Sequence, residues 1–175
     1  FHAWGNSHFL LALALSSSIV LRRRFDPKVT LEEIEKHRID TLVLVPVMLQ
    51  RILDLGEEEI RAHDLSALRV IALSGSAVSP ALATRALAAF GDVVYNLYGS
   101  TEVAWATIAT PEDLHEAPGC AGRPPRGTVV KLFDELDPQA SLSNVVLLCL
   151  LHRLAPCLTL RALCSLLLGL SVVRV

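Results

Sequence analysis

The sequence predicts an α/β fold: a parallel sheet flanked by helices. Three observations carry this. Thr41–Val45 is a continuous apolar run, as expected of a parallel strand buried on both faces, and Arg69–Leu73 and Val93–Leu97 read as further strands. Helical patterns separate them, and strands that alternate with helices pair in parallel. The helix starts are marked by capping chemistry, with a polar residue followed by proline at Asp26-Pro27 and Ser79-Pro80.

Taken in order, Gly5–Leu15 reads as an apolar, buried helix and Ser16–Leu21 as a short strand that ends at Arg22-Arg23-Arg24. That basic run is either a solvated strand end or a phosphate contact. Asp26-Pro27 opens a helix to about Lys36, with Leu31 and Ile34 turned inward and Glu32, Glu33 and Glu35 in solvent. Pro46 ends the strand Thr41–Val45, and Val47–Leu53 is a helix; Glu57, Glu58 and Glu59 read as a solvated helical face. Arg69–Leu73 leads into a turn at Gly75, Ala81–Phe90 forms the next helix, and Val93–Leu97 runs into Tyr98-Gly99-Ser100-Thr101-Glu102. The Pro- and Gly-rich stretch from Pro111 to Arg126 reads as a surface connection, and Thr128–Phe133 as one further strand.

Composition narrows the function classes. The net charge of −2 gives no reason to expect nucleic acid. Cys120 lies in a loop and Cys149, Cys157 and Cys164 lie near the end, without any Cys-x-x-Cys pair, which argues against zinc and against a disulfide framework. No charged segment, apolar run and cleavage site opens the chain, so a cytoplasmic location is expected. The 52% hydrophobic content is unevenly spread: no Asp or Glu follows Asp137, and Leu, Val, Ala and Cys crowd the remainder. The chain is therefore expected to divide into residues 1–135 and an apolar tail, 136–175. Three readings of the tail stay open: a shifted reading frame near Leu136, a membrane-seeking segment, or a helix packing on an incomplete core. For the second, Arg161 near the centre of Leu154–Val175 would cost about 2.5–3.5 kcal/mol on insertion. Membrane association is expected only through this tail.

The chemistry concentrates at Tyr98–Glu102. A ligand of an open α/β sheet sits in the crevice at the C-terminal ends of strands. There Tyr98 offers a flat face for a base, Gly99 allows close backbone approach to a phosphate, Ser100 and Thr101 donate hydrogen bonds, and Glu102 can hold Mg2+ shared with phosphates. An ordinary strand-to-loop turn would use the same residue types.

Four stretches in order decide between these readings. Tyr98-Gly99-Ser100-Thr101-Glu102 resembles the aromatic-Gly-x-Thr-Glu motif of the adenylate-forming superfamily, which includes acyl- and aryl-CoA synthetases. Phe1-His2-Ala3-Trp4-Gly5 resembles the Phe-His-x-x-Gly motif of CoA ligases, Ser74-Gly75-Ser76-Ala77 the family's turn beside the adenine and acyl pockets, and Gly122-Arg123-Pro124 its Gly-Arg-Pro element. The resemblance covers residues 1 to about 135. It implies a ligase that joins a carboxylic acid to ATP as an acyl-adenylate and then transfers the acyl group to coenzyme A, with Mg2+ as the metal. ATP or AMP, coenzyme A and a small carboxylic acid are the implied partners.

Residue by residue, it implies that Gly75, Ser76, Ala77, Tyr98, Gly99, Ser100 and Thr101 hold the nucleotide. Thr101 and Glu102 are the catalytic pair, and Glu102 is the metal ligand. His2 and Trp4 line the acyl pocket, and His2 stands where amino-acid-activating domains carry Asp, which points away from amino acids. His8, His37, His63 and His115 show no partner pattern. A fatty acid is the expected substrate, with an aryl acid as the alternative, because Phe-His-x-x-Gly does not separate the two. The resemblance also implies a phosphate loop with its lysine, a Tyr-x-Thr-Gly-Asp ribose motif and a C-terminal domain with an adenylation lysine. The 175 residues contain none of these, so the chain is expected to be a fragment, and an inactive, non-enzymatic product is the rival reading.

Overall fold

The computed structural model describes residues 3–101 and 104–130. Phe1, His2, Glu102, Val103 and the tail from residue 131 lie outside the described residues. The chain divides after Thr128 into two units, and the sheet and its helices belong to the first.

Four strands form one sheet in the order β1 (Thr41–Leu44), β2 (Val70–Leu73), β3 (Val94–Ser100) and β4 (Ala104–Ala109). β1, β2 and β3 pair in parallel, with Leu44 opposite Leu73 and Leu73 opposite Asn96. β4 returns antiparallel beside β3. The parallel part follows the apolar runs, since Ile71, Leu73 and Val94 are fully buried. The antiparallel return was not foreseen: Ala104–Ala109 lacks a long apolar run and is a strand because β3 offers it an edge.

Helices α2 (Pro27–His37), α3 (Pro46–Leu53), α4 (Glu57–Arg61) and α5 (Pro80–Phe90) connect the strands. The Asp26 and Ser79 side chains accept hydrogen bonds from the backbone N–H groups of Val29 and Leu82, 3.1 and 3.2 Å away, as expected of N-caps. Leu31, Leu49, Ile52 and Ala83 join the core beside the sheet and are buried to 1% exposure or less.

Three expectations need correction. Helix α1 (Ala3–Ala14) forms, but none of its residues is buried. Its ties to the sheet run through Trp4 and His8, while Leu10, Leu13 and Leu15 stand more than half exposed. Ser16–Leu21 is not a strand, because among the described residues no backbone hydrogen bond ties it to a neighbouring strand. Thr128, Val129 and Val130 are likewise outside any strand, and 131–133 fall beyond the described residues.

The stretch from Pro111 is more than a surface connection. It opens with α6 (Pro111–Glu116), capped by Thr110 in a reciprocal box with Asp113. It then folds back on β4: the Arg123 N–H donates to the Ile108 carbonyl at 2.9 Å and the Ile108 N–H to the Arg123 carbonyl at 2.8 Å. Buried Asn96 donates to the Cys120 carbonyl at 2.8 Å, and buried Thr107 to the Ala121 carbonyl at 2.6 Å.

Gly122 makes that fold-back possible. Its φ is +78°, and a Cβ there would overlap the backbone of Ile108 and Ala109. Gly91 has φ +75° but open space around it. Gly91→Ala is therefore expected to cost about 1–3 kcal/mol of backbone strain, and Gly122→Ala more than Gly91→Ala, because Gly122→Ala also pushes the strap off β4. Urea unfolding of the two variants beside the parent chain measures this difference.

Candidate nucleotide and acyl site

The parallel register brings the predicted stretches together. β2 and β3 are neighbours running in one direction, so Ser74–Ala77, which follows β2, and Tyr98, near the end of β3, lie toward the same edge of the sheet. Gly75 has φ +92°, and a Cβ there would come within 3.2 Å of the Val45 side chain. The turn thus needs glycine for its backbone angle and for clearance. Ser74 is buried, whereas Gly75, Ser76 and Ala77 are exposed to solvent.

Tyr98 is 52% exposed although it lies within β3, leaving a ring face available at the sheet edge. Gly99 and Ser100 are the last residues of β3, and Thr101 is an exposed turn residue. The register shifts by one between Tyr98 and Gly99: Tyr98 faces Thr107, Gly99 faces Trp105, and Ala106 is the extra residue.

Trp4 reaches the same edge from α1. Its indole Nε1–H donates to the Leu44 carbonyl at 3.1 Å, and that carbonyl also accepts from the Ser74 N–H at 3.4 Å. One backbone oxygen therefore ties Trp4 to the first residue of the Gly75 turn. His8 lies one helical turn on, with Nδ1 2.9 Å from the Trp4 carbonyl, so Nδ1–H donates to it. The His8 ring meets Trp4 edge-on at 4.1 Å between centroids and Trp105 at 5.8 Å.

These contacts were not legible in advance. Trp105 sits on the unforeseen antiparallel strand, and nothing in the sequence around His8 marks a partner. His37, His63 and His115 also have partners, each a carboxylate, in Glu33, Glu35 and Asp92. Arg22 is paired with Glu33 at 3.3 Å on the surface, where ion pairs contribute little.

Two cavities lie apart from this edge. One of about 200 Å3 touches Phe25, Val29 and Val43, and an open one of about 480 Å3 lies beside Asp92 and His115. Neither is lined by the Gly75 turn or Tyr98. Among the described residues no group of three His, Cys, Asp or Glu could hold a metal ion, and no helix is long and apolar enough to cross a membrane.

The Gly122-Arg123-Pro124 element buttresses this edge from behind. Arg123 pairs with Asp113 at 3.1 Å. The Asp113 carboxylate also accepts from the Thr110 backbone N–H and hydroxyl at 3.1 and 3.0 Å. Cys120 is half-buried in the strap, and burial pushes its thiol up, away from the reactive thiolate.

The Gly75 turn, Tyr98 and the Leu44 carbonyl thus share the carboxyl edge of a parallel sheet. Residues 1–141 match the family described as AMP-binding enzyme, and the chain belongs to that family. It is 34% identical over 125 residues to the indoleacetate–CoA ligase of Aromatoleum aromaticum, covering 70% of this chain and 24% of that protein. It is 29% identical over 133 residues to the medium/long-chain-fatty-acid–CoA ligase FadD8 of Mycobacterium tuberculosis, covering 75% of this chain and 23% of that one. The solved amide bond synthetase McbA from Marinactinospora thermotolerans superposes with a TM-score of 0.73 at 27% identity, over 80% of this chain and 28% of its own. The chain thus spans about a quarter of the length of the curated relatives it matches.

The buttress makes its own prediction. Partial burial works to raise the Asp113 carboxyl, but hydrogen bonds from Thr110 and the charge of Arg123 outweigh it and hold Asp113 below its ordinary value. A depressed carboxyl adds stability above the unfolded-state value and loses it as pH falls through the folded value. Asp113→Asn should therefore destabilise the chain at neutral pH by about 1–2 kcal/mol, the size of a lost cap. The difference should shrink as pH falls below the ordinary carboxylate value and through the lowered folded one, as the parent's carboxylate is protonated. Urea midpoints across that range measure it.

Proposed function

We propose that these residues form the central part of the adenylation site of an AMP-forming acid–CoA ligase acting on a fatty acid. The observation that carries this is the shared edge: the Gly75 turn and the exposed face of Tyr98 stand at adjacent ends of two parallel strands, with Trp4 bonded to the same carbonyl as Ser74. In the reaction a carboxylate oxygen attacks the α-phosphorus of ATP and pyrophosphate leaves. The sulfur of coenzyme A then attacks the acyl carbonyl and AMP leaves. The protein supplies orientation and charge stabilisation.

In this reading Tyr98 stacks on or lines the adenine, and the backbone of Gly75, Ser76 and Ala77 borders the adenine and the acyl group. Gly99 and Ser100 give the phosphates room and hydrogen bonds, and Thr101 donates to the α-phosphate. His2 and Trp4 line the acyl side. Glu102, the acidic residue of the Tyr98–Glu102 motif, would hold Mg2+ together with the phosphates of the nucleotide. When bound it neutralises triphosphate charge. An aryl acid is the second reading, favoured by the 34% identity to a ligase of indoleacetate. Residues 1–135 are assigned to the AMP-binding domain, and 136–175 to a tail outside it.

The 175 residues hold no counterpart of the phosphate-loop lysine or the adenylation lysine. Losing one group that stabilises transition-state charge commonly costs about 10²–10³ in rate. Purified chain given ATP, Mg2+, coenzyme A and fatty acids is expected to release no pyrophosphate above background. Turnover at ordinary enzymatic rates would show that the chain is a complete catalyst.

The metal assignment is tested in a full-length ligase carrying residues 1–135. Glu102→Gln keeps the shape and removes the charge. ATP–pyrophosphate exchange should slow and need more Mg2+, while transfer from a preformed acyl-adenylate to coenzyme A is nearly spared. Equal loss in both half-reactions would assign Glu102 to positioning or folding instead.

A further inference from the structure

The strap does more than lie against β4. Gly119, within it, has φ +82°, and a Cβ there would stand 2.8 Å from the Val78 carbonyl oxygen, 3.1 Å from the Pro80 nitrogen and 3.2 Å from the Pro80 ring. Val78 is buried and follows Ala77 directly, and Pro80 opens α5. Gly119 therefore packs on the backbone where the Gly75 turn ends. The next two strap residues reach the neighbouring strands. The Cys120 carbonyl accepts from Asn96, two residues before Tyr98, and the Ala121 carbonyl from Thr107, opposite Tyr98. Three consecutive residues thus join the end of the Gly75 turn to the strands that carry and face Tyr98.

The two sides of the Gly119 contact are unequally held. The strap is fixed by those two side-chain hydrogen bonds and by the paired bonds between Ile108 and Arg123. Ser74 is tied to the Leu44 carbonyl, but among the described residues no backbone-to-backbone hydrogen bond holds Gly75, Ser76 or Ala77. A side chain at position 119 would therefore move the turn rather than the strap.

From this geometry we propose that Gly119 is a positioning residue for the nucleotide site: by carrying no side chain it lets the Gly75 turn stand at the spacing from Tyr98 that an adenine ring needs. The proposal rests on the adenylation reading, which puts the adenine against Tyr98 and the turn. Gly119 takes no part in the chemical steps and acts only through Val78 and Pro80.

Gly91 is the control. It caps the other end of α5 at φ +75° with open space around it, so Gly91→Ala brings backbone strain without the contact. Hydrogen exchange of the backbone amides of residues 74–78, AMP affinity by saturation-transfer NMR and urea midpoints are measured on the purified 175-residue parent, Gly119→Ala and Gly91→Ala. Both variants should lower the urea midpoint. Only Gly119→Ala should speed exchange across residues 74–78 and weaken AMP binding by at least about fivefold, the low end of what coupling between two sites supplies. If Gly119→Ala loses its fold by circular dichroism, Pro80→Ala, which opens the same contact from its other partner, is read in its place and should speed the same amides and weaken AMP alike.

Unchanged AMP affinity in a folded Gly119→Ala overturns the proposal, as does an equal loss in Gly91→Ala, which would mark general destabilisation. Failure of the parent to bind AMP counts against the adenylation reading instead, and the exchange of residues 74–78 then decides alone whether Gly119 sets the turn.

Discussion

The structure depends on the double pairing of β2. Its four residues are matched in parallel to β1 on one side, and three of them to β3 on the other, and Ile71 and Leu73 have no exposure left. Parallel pairing sends every following turn to one edge. That single constraint collects the Gly75 turn, Tyr98 and the Leu44 carbonyl at one edge, although they lie far apart in the sequence. A strand buried on both faces must also keep its register, since a slip of one residue would turn its side chains to the opposite faces.

Behind this edge lies a second layer of constraint that carries no chemistry of its own. Asn96 and Thr107 are polar and buried, and each donates to a carbonyl of the strap, at Cys120 and Ala121. Gly122 lets the strap backbone lie against β4, and the Asp113–Arg123 pair fixes its ends. The Gly-Arg-Pro element thus has a physical account: glycine for close approach, arginine as an anchor to the cap of α6. The support acts through β4 and so reaches Trp105, opposite Gly99.

The parallel half of the fold was legible because its signals are local and redundant. Apolar runs, Asp26-Pro27 and Ser79-Pro80 all agreed, and the helices start where those caps place them. The antiparallel β4 was not legible, since Ala104–Ala109 sets a tryptophan, a threonine and an isoleucine among alanines and depends on β3 for its identity. Ser16–Leu21 shows the converse: Ile19, Val20 and Leu21 have strand propensity, yet propensity alone does not make a strand without an edge to pair with. The Gly75 and Tyr98 stretches were recognisable as motifs, but the contacts of His8 and Trp105 arise only from tertiary placement. Helix α1 was foreseen in its span and misjudged in its burial, because an all-apolar composition does not say which face is covered.

The irregular pairing at Tyr98 and Gly99 has a consequence for the ancestry of this edge. With Ala106 as an extra residue, the alternation of β4 changes parity between Thr107 and Trp105. The half of the strand that touches the strap and the half that faces Gly99 are therefore set by independent phases. A lineage could lose or gain one residue at this point and reverse the facing of Trp105 without disturbing Thr107, Ala109 or the Ile108–Arg123 bridge. Point substitutions would change the surface that Trp105 presents gradually, but a single-codon insertion or deletion at Ala106 would rewrite it in one step while the fold behind it stayed in register.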